Sequence, residues 1–425
     1  MHQHADIPHG PAGRYGPRSL TGPVLVALLI GATGCEENTP SPAEPDLEPA
    51  ASVAAAAQKF SEVSGGGSHT CALTSDQRAW CWGYNELGQL GTGSAAGPEI
   101  CTGAVGPFPC STRPVRIAGD RQYRQITAGD NYSCAVANDY RAYCWGTNEF
   151  GAIGDGTTSR RLSPVPVGGG LRFRQLDGSF FHTCGVSHPD GRVYCWGDNS
   201  QGQLGDGSRT SRLSPVPVLG GLSFRQVSTG DLHTCGVTTS NEAYCWGHDN
   251  VGQLGNDAAR ARRDRPVPVA GHRRFLLVTA GSDHTCGVTA AHVALCWGLG
   301  GQIGDGQTTN RFTPRGVAGG LRFDQVTAGL LHTCGETTTH RAYCWGVNGR
   351  GQLGDGGPPE PDRLRPVAVA GGHAFAQLSA GAAHTCGVAP SGAAFCWGYD
   401  FFGQLGDGRS GFGAESRRPV RVEGS

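Results

Sequence analysis

The chain has almost no net charge and no long apolar run. Its 34 Lys and Arg against 35 Asp and Glu leave a formal charge of -1, so no basic field exists to attract nucleic acid. Lys59 is the only lysine, arginine carrying nearly all the positive charge, and no function follows from that. No apolar stretch reaches the ~20 residues a membrane-spanning helix needs, and no segment between units shows a helical period. Nucleophile-elbow, phosphate-loop and paired-carboxylate patterns are missing too. No catalytic residue, cofactor or metal is therefore expected, and the chain is not read as an enzyme.

Glycine, proline and cysteine are plentiful. The 70 Gly and 26 Pro lack the strict every-third-residue glycine of collagen and fit many short strands joined by tight turns. The 17 Cys fit an oxidising compartment better than the cytosol. Near the N-terminus, residues 24–32 (VLVALLIGA) follow Arg14 and Arg18 and precede Thr33, Gly34 and Cys35. Charge, a short apolar core and small residues describe a secretory signal. Its end, Ala-Thr-Gly-Cys, resembles a bacterial lipobox, which implies that Cys35 is lipidated and anchors the protein to a membrane. Ordinary cleavage near Cys35, giving a secreted protein, is the alternative. Residues 36–58 are rich in Pro, Ala and acid, and read as a disordered spacer. The expected domains are a signal peptide over 1–35, a linker over 36–58 and one repeat domain over 59–425.

Cys-Trp-Gly occurs seven times, with its cysteine at 81, 144, 195, 245, 296, 344 and 396, and a period near fifty signals a repeat architecture. The third unit shows the parts in order. Phe173-Arg174-Gln175-Leu176 alternates as a strand, and His182-Thr183-Cys184-Gly185-Val186 is a second strand. Asp190-Gly191 marks a hairpin before Val193-Tyr194-Cys195-Trp196. A turn-rich link, residues 202–207 (GQLGDG), leads to Pro215-Val216-Pro217-Val218, an edge strand because proline cannot donate to a ladder. Four strands in each of seven units predict an all-β fold, a seven-bladed β-propeller of four-stranded blades. Residues 419–422 are candidates to pair with the first blade and close the ring; a permuted strand order, with another strand closing it, is the alternative.

The linked motifs G-x-x-H-T-C, C-W-G-x-N, G-Q-L-G-D-G and P-V-x-V, over residues 59–422, resemble the repeat of the regulator of chromosome condensation. That resemblance implies seven blades and a framework role for the repeated histidine. The family namesake is a guanine-nucleotide exchange factor with a wedge-like insertion in one blade and a basic tail. The third unit here has no comparable insertion, and no basic tail is present.

Cysteines pair within units: Cys71 with Cys81, Cys134 with Cys144, Cys184 with Cys195, and Cys235 with Cys245. Cys286 with Cys296, Cys334 with Cys344, and Cys386 with Cys396 continue the series. Each pair brackets the hairpin between the second and third strands, so its members can face each other across two strands. Alternation places Tyr194 and Trp196 on the face opposite Cys195, predicting aromatics stacked on disulfides between blades. Zinc held by His182, Cys184 and Cys195 is the rival reading. In the second unit Tyr132 replaces the histidine while Cys134 and Cys144 remain; ligands should be lost together, which favours disulfides. Cys101 and Cys110 form an eighth pair, leaving Cys35 unpaired for a lipid.

The six histidines His69, His182, His233, His284, His332 and His384 recur at one place in the unit and read as framework. So do the turn aspartates Asp155, Asp206, Asp305, Asp355 and Asp407, replaced elsewhere by Thr92 and Asn256. Departures from the repeat fall mainly between the glycine-rich turn and the last strand: residues 94–112, 258–265, 357–364 and 409–418. One point in every unit means one face of the disc, and loops on a rigid scaffold carry binding. The candidate binding residues are Phe108, Arg260, Arg262, Arg263 and Phe412. The expected function is a non-catalytic, extracytoplasmic, lipid-anchored scaffold, monomeric, binding a protein or envelope polymer and no nucleic acid. Nucleotide exchange and inhibition of an extracytoplasmic enzyme are the alternatives, the latter because a bacterial β-lactamase inhibitory protein resembles this family in fold. Glycan binding would need exposed aromatics, for which Phe401 and Phe402 are candidates.

Overall fold

An aromatic residue and an aliphatic one three places apart do not fit a simple two-residue strand period, yet such a pair opens every unit, from Phe60 and Val63 to Phe375 and Leu378. The computed structural model, which describes residues 57–103, 106–258 and 261–425, shows why. In the third blade the ladder slips between Phe173 and Gln175, and such a bulge lets both Phe173 and Leu176 face the core. Gln175 is turned instead into the central channel. The same slip recurs at the start of the first six blades. Cys35, Arg260 and nearly all of the expected linker lie outside the described residues.

Each blade is an antiparallel four-stranded sheet, built in the third from Phe173–Gly178, His182–Ser187, Val193–Gly197 and Arg212–Pro217. Seven such sheets form a β-propeller, the first strand of each lining the axis. The first blade carries one strand more, because its insertion folds into a hairpin of Glu99–Gly103 against Gly106–Arg116. The ring closes without exchanged strands. Residues 419–422 do not pair with the first blade: Glu415–Arg421 completes the seventh, with Val420 opposite Cys396. The ends meet through Gln58 N–H to Gly424 O at 2.7 Å and Phe60 N–H to Gly392 O at 2.8 Å.

The core lies between blades. Paired cysteines sit opposite each other, Cys184 facing Cys195, and seven disulfides join such positions at Cα separations of 4.0 to 4.1 Å. Cys101 and Cys110 form an eighth within the inserted hairpin. The Cys184–Cys195 bridge packs with Val186 against Phe224, Val227 and Trp246 of the fourth blade. Trp196, on the other face, packs on Cys134 and Cys144 of the second. All seven Cys-Trp-Gly tryptophans are fully buried. Each takes roughly 200 Å² from water, about 5 kcal/mol of gross hydrophobic stabilisation before entropy is counted.

The glycine-rich link is the latch between blades. The Gln203 carbonyl accepts from the Thr234 hydroxyl at 2.8 Å and the Trp246 indole N–H at 2.9 Å, both in the next blade. The Gln404 carbonyl does the same for Thr70 and Trp82 across the closure. Gly205 has φ +67°, and a Cβ there would lie 2.8 Å from the Trp246 indole nitrogen, so glycine meets both the left-handed backbone and the close approach.

Candidate functional site: the loop face and the axial channel

The repeated histidine joins neighbouring blades. His182 Nε2 lies 2.9 Å from Thr234 Oγ1, and His384 Nε2 lies 2.9 Å from Thr70 Oγ1. The threonine proton goes to the Gln carbonyl, so Nε2–H is the donor, and burial keeps the imidazole neutral. Burial pushes His233 and His332 down to about 3 and His182 to about 4. All six side chains are sealed from solvent and committed to this ring, so none can relay a proton to a bound substrate. In the second blade the Tyr132 hydroxyl fills the position, donating to His182 O at 2.7 Å.

The turn aspartates have fixed partners as well. Asp206 accepts from the Asn199 amide, the Ser208 backbone N–H and hydroxyl, and the Arg212 guanidinium at 2.7 to 3.1 Å. Equivalent ion pairs join Asp155 to Arg161 and Asp305 to Arg311. The fourth blade exchanges the two partners, with Asp249 and Asn256. The seventh has two carboxyls, Asp400 and Asp407. Burial, with the charge of Asp407 beside it, pushes Asp400 up to about 8.

Along the axis a ladder of glutamines sews blade to blade. Gln175 donates from Nε2 to Val227 O at 2.8 Å and accepts the Val227 N–H at 3.0 Å. Gln125, Gln226, Gln325 and Gln377 do the same one blade on. Two blades depart: Leu277 in the fifth and Glu62 in the first. The Glu62 carboxyl accepts the Ile126 N–H, and burial among the channel walls pushes it up to about 8. These strands enclose a channel of about 300 Å³. Asp130, Asp177 and Asp231 stand near its mouth, on the side of the irregular loops, and burial raises each to about 6.

The predicted binding residues are not one patch. Phe108 is buried and unavailable to a partner. The inserted hairpin folds back, placing its ring 5.8, 5.5 and 5.3 Å from those of Tyr84, Phe401 and Phe402. Phe401 and Phe402 are thus spent on the same cluster. Phe412 stands 88% exposed at the tip of the seventh blade's loop. Beside it lies a residue sequence reasoning missed, Ile100, 62% exposed on the outermost strand of the hairpin. A Cβ on Gly411 would come within 3.0 Å of the Thr102 carbonyl, which places the two elements in contact. Alternation along the hairpin could have found Ile100, since it neighbours inward-facing Cys101. Arg262 is exposed and reaches Gln201 Oε1 at 3.2 Å, while Arg263, half-buried, opens the fourth blade's last strand opposite Gly247. The fourth blade is three places round the ring from both the seventh and the first, so one partner touching both sites must span the disc.

Glu99, Cys101 and Cys110 bring three potential metal-ligand atoms close together, but the two sulfurs are joined in a disulfide and do not act as thiolates.

Comparison with known proteins agrees with this architecture. The family model described as an RCC1-like domain matches residues 30–323, and regulator of chromosome condensation repeats match 323–352, 339–388 and 375–404. The chain is 31% identical over 378 residues to the ultraviolet-B receptor UVR8 of Arabidopsis thaliana, covering 84% of this chain and 81% of that protein. It is 30% identical over 182 residues to human E3 ubiquitin-protein ligase HERC2, which is 42% of this chain but only 4% of that protein. Among solved structures, human WBSCR16 superposes with a TM-score of 0.68 at 21% identity, covering 79% of this chain and 88% of that one. Prp20p of Saccharomyces cerevisiae gives 0.68 at 19%, covering 86% of each. With seven blades, a repeat motif that forms the latches between them, and these matches, the chain belongs to the RCC1-like family of regulator of chromosome condensation repeats.

Proposed function

We propose that this propeller is a non-catalytic binding scaffold that works outside the cytoplasm, tethered by a lipid on Cys35. The observation that carries the reading is the set of eight disulfides, one in every blade and one in the inserted hairpin. Disulfides persist in oxidising compartments and are rare in the cytosol. The signal-like residues 24–32 and Cys35 give the route, residues 36–58 the spacer, and residues 59–425 the binding domain. Among the described residues no helix is long and apolar enough to cross a membrane, so a lipid would supply the tether. The partner is a protein or envelope polymer that meets the loop face at Phe412 and Ile100, with Arg262 and Arg263 as a second contact across the disc.

Nucleotide exchange, the activity the family name implies, would demand a cytoplasmic GTPase that an exported protein does not meet. Prp20p binds Gsp1p and histones, and that stays a property of Prp20p. Inhibition of an extracytoplasmic enzyme is a special case of the same binding reading.

Palmitate labelling of the native protein should disappear in Cys35→Ala, and the protein should fractionate with the envelope. Cross-linked pull-downs from that envelope should lose their partner in a Phe412→Ala, Ile100→Ser double variant. A reduced, cytoplasmic protein would overturn the location, and unchanged pull-downs would overturn the contact face.

A further inference from the structure

Blades two, three and four bring aromatic rings and carboxyls together on the loop face. The Phe150 ring lies 4.8 Å from that of Phe181, which in turn lies 5.2 Å from that of Phe180. Leu213, on the outermost strand of the third blade, extends the row: a Cβ on Gly151, the residue after Phe150, would come within 2.6 Å of Leu213 Cδ2. Phe150 and Leu213 are each 39% exposed, and Phe180 and Phe181 are half-buried. The four side chains form an apolar stripe open to solvent. Its inner end is the mouth of the axial channel, where Phe180 lines a hollow of about 150 Å³.

Gly129, Gly230, Gly281, Gly329 and Gly381 line the hollow and send no side chain across it. Asp130 and Asp231 stand on either side of Phe180: the Asp130 N–H donates to Ser179 O at 2.9 Å, and the Ser179 hydroxyl donates to Gly230 O. One oxygen of each carboxyl is engaged, Asp130 Oδ2 by the Asn131 amide at 2.5 Å and Asp231 Oδ2 by the Ser282 hydroxyl at 2.6 Å. The other, Oδ1, has no hydrogen bond among the described residues, and it is not sealed from solvent. Neither carboxyl forms an ion pair among those residues, although Asp155, Asp206, Asp305, Asp355 and Asp407 each pair with an arginine. Asp177 lines both this hollow and the channel behind it, and holds the Thr229 N–H at 2.7 Å.

We propose that this stripe and hollow bind a basic segment of a partner protein, with an apolar side chain on Phe150, Phe181 and Leu213 and a lysine or arginine in the mouth. The proposal rests on the binding reading above in taking the partner to be a protein, but it uses none of the residues assigned there. A cationic side chain supplies the donors that Asp130 and Asp231 lack, and its stem or guanidinium can lie against the Phe180 ring. A bare metal ion would answer the carboxylates and leave the phenylalanines unused. An anionic segment would be repelled. A neutral apolar one would cover both carboxylates without pairing them, which costs free energy. Exposed apolar side chains beside uncompensated charge of one sign are what recognition of an amphipathic, oppositely charged segment needs.

The test selects phage-displayed random peptides on the immobilised full chain and measures the selected peptides, synthesised with a fluorophore, by anisotropy. They should carry a lysine or arginine close to a large apolar residue and bind with a Kd of roughly 100 µM or tighter. Asp231→Asn keeps an acceptor for Ser282, and Phe150→Gln copies Gln201 of the third blade, so neither should lower the melting temperature. Asp231→Asn should weaken binding at least roughly tenfold, and Phe150→Gln several-fold. The Phe412→Ala, Ile100→Ser double variant should bind these peptides as the wild type does, so losses there and here report on separate sites. Selection of no peptides or of peptides without basic residues, binding that survives Asp231→Asn, or binding lost in the double variant would each overturn the proposal.

Discussion

Replacing Glu62 by glutamine should stabilise the propeller increasingly as pH rises from about 4.5 to 8. Five blades fill this place with glutamine, whose amide gives a proton to one backbone group of the next blade and takes one from another. A charged carboxylate can only take. Glu62 therefore holds a proton in the folded protein, its pKa pushed from 4.5 to about 8 by burial. The sign follows from linkage. The unfolded chain ionises above pH 4.5 while the folded one resists until about 8, so wild-type stability falls across that interval and levels off beyond it. At 1.36 kcal/mol per pH unit the loss is on the order of 5 kcal/mol at most, less because part of the side chain still meets channel solvent. With an unfolding entropy of about 2.1 cal/mol/K per residue, this is roughly 6 °C in melting temperature if the ring melts as one unit.

Melting temperatures of wild type and Glu62→Gln, followed by near-ultraviolet circular dichroism from pH 4 to 9, give the difference directly. Subtracting one variant from the other removes the channel aspartates, which titrate in both. Glu62→Leu, copying Leu277 of the fifth blade, separates charge from hydrogen bonding. It should gain on the wild type above pH 6 but stay below Glu62→Gln. A constant gap between Glu62→Gln and wild type across this range would refute the reasoning.

Asp400→Asn restores the asparagine of blades one, two, three and six, and because Asp400 is pushed up to about 8 it should raise the melting temperature by several degrees at pH 8.5 and by almost nothing near pH 4; equal gains at both would rule out titration as the cause. The buried histidines act in the opposite sense. His233, lowered to about 3, contributes stability that is present above pH 6.5 and lost as pH falls toward 3. The deficit of a His233→Gln variant should therefore shrink between pH 6.5 and 4, and a deficit that stays the same would show that the imidazole is not held neutral by the fold. Removing the Cys184–Cys195 bridge, which closes a loop of sequence separation 11, with a double alanine variant should cost at least about 3 kcal/mol in denaturant unfolding. Non-reducing peptide mapping should then show the other seven bridges intact; reshuffled pairs would mean that the blades do not hold their cysteines independently.

The number of blades and the pairing of their cysteines were legible because they depend on side chains that recur: Cys, Trp, His and Gly at fixed offsets. The latch was not legible, since its acceptor is the backbone carbonyl of Gln203 or Gln404. Any residue supplies a carbonyl, as Ala152 does for Trp196. Phe108 misled for a different reason. An insertion looks solvent-exposed in one dimension, but a disulfide-closed hairpin of this length can bury its own ring under Phe401 and Phe402. The axial ladder lay open in the sequence as a column, Gln125, Gln175, Gln226, Gln325 and Gln377. It passes unnoticed because a polar residue in an inner strand looks like ordinary alternation, and only the channel shows that the next backbone lies within its reach.

This division between what recurs and what varies bears on function. His182, Thr234, Trp246 and the Gln203 carbonyl each bind a neighbouring blade, so a change at any of them breaks an interface between two blades. Variation is cheap only where a residue answers to one blade: the loop after the glycine-rich turn and the outer strands. Five departures from the repeat lie in blades seven and one, where the chain ends meet: the inserted hairpin with Ile100, the loop with Phe412, Trp80 on the outer side, where four other blades have tyrosine, and the acids Glu62 and Asp400. Others, Tyr132, the fourth blade's arginine loop with Asp249, Leu277 and residues 357–364, are spread over blades two, four, five and six. The two acids weaken the framework there, which the latches around the rest of the ring can offset. On the binding reading proposed above, the exposed Ile100 and Phe412 are what such a tolerant sector would be used for, with the arginines of blade four as a second contact.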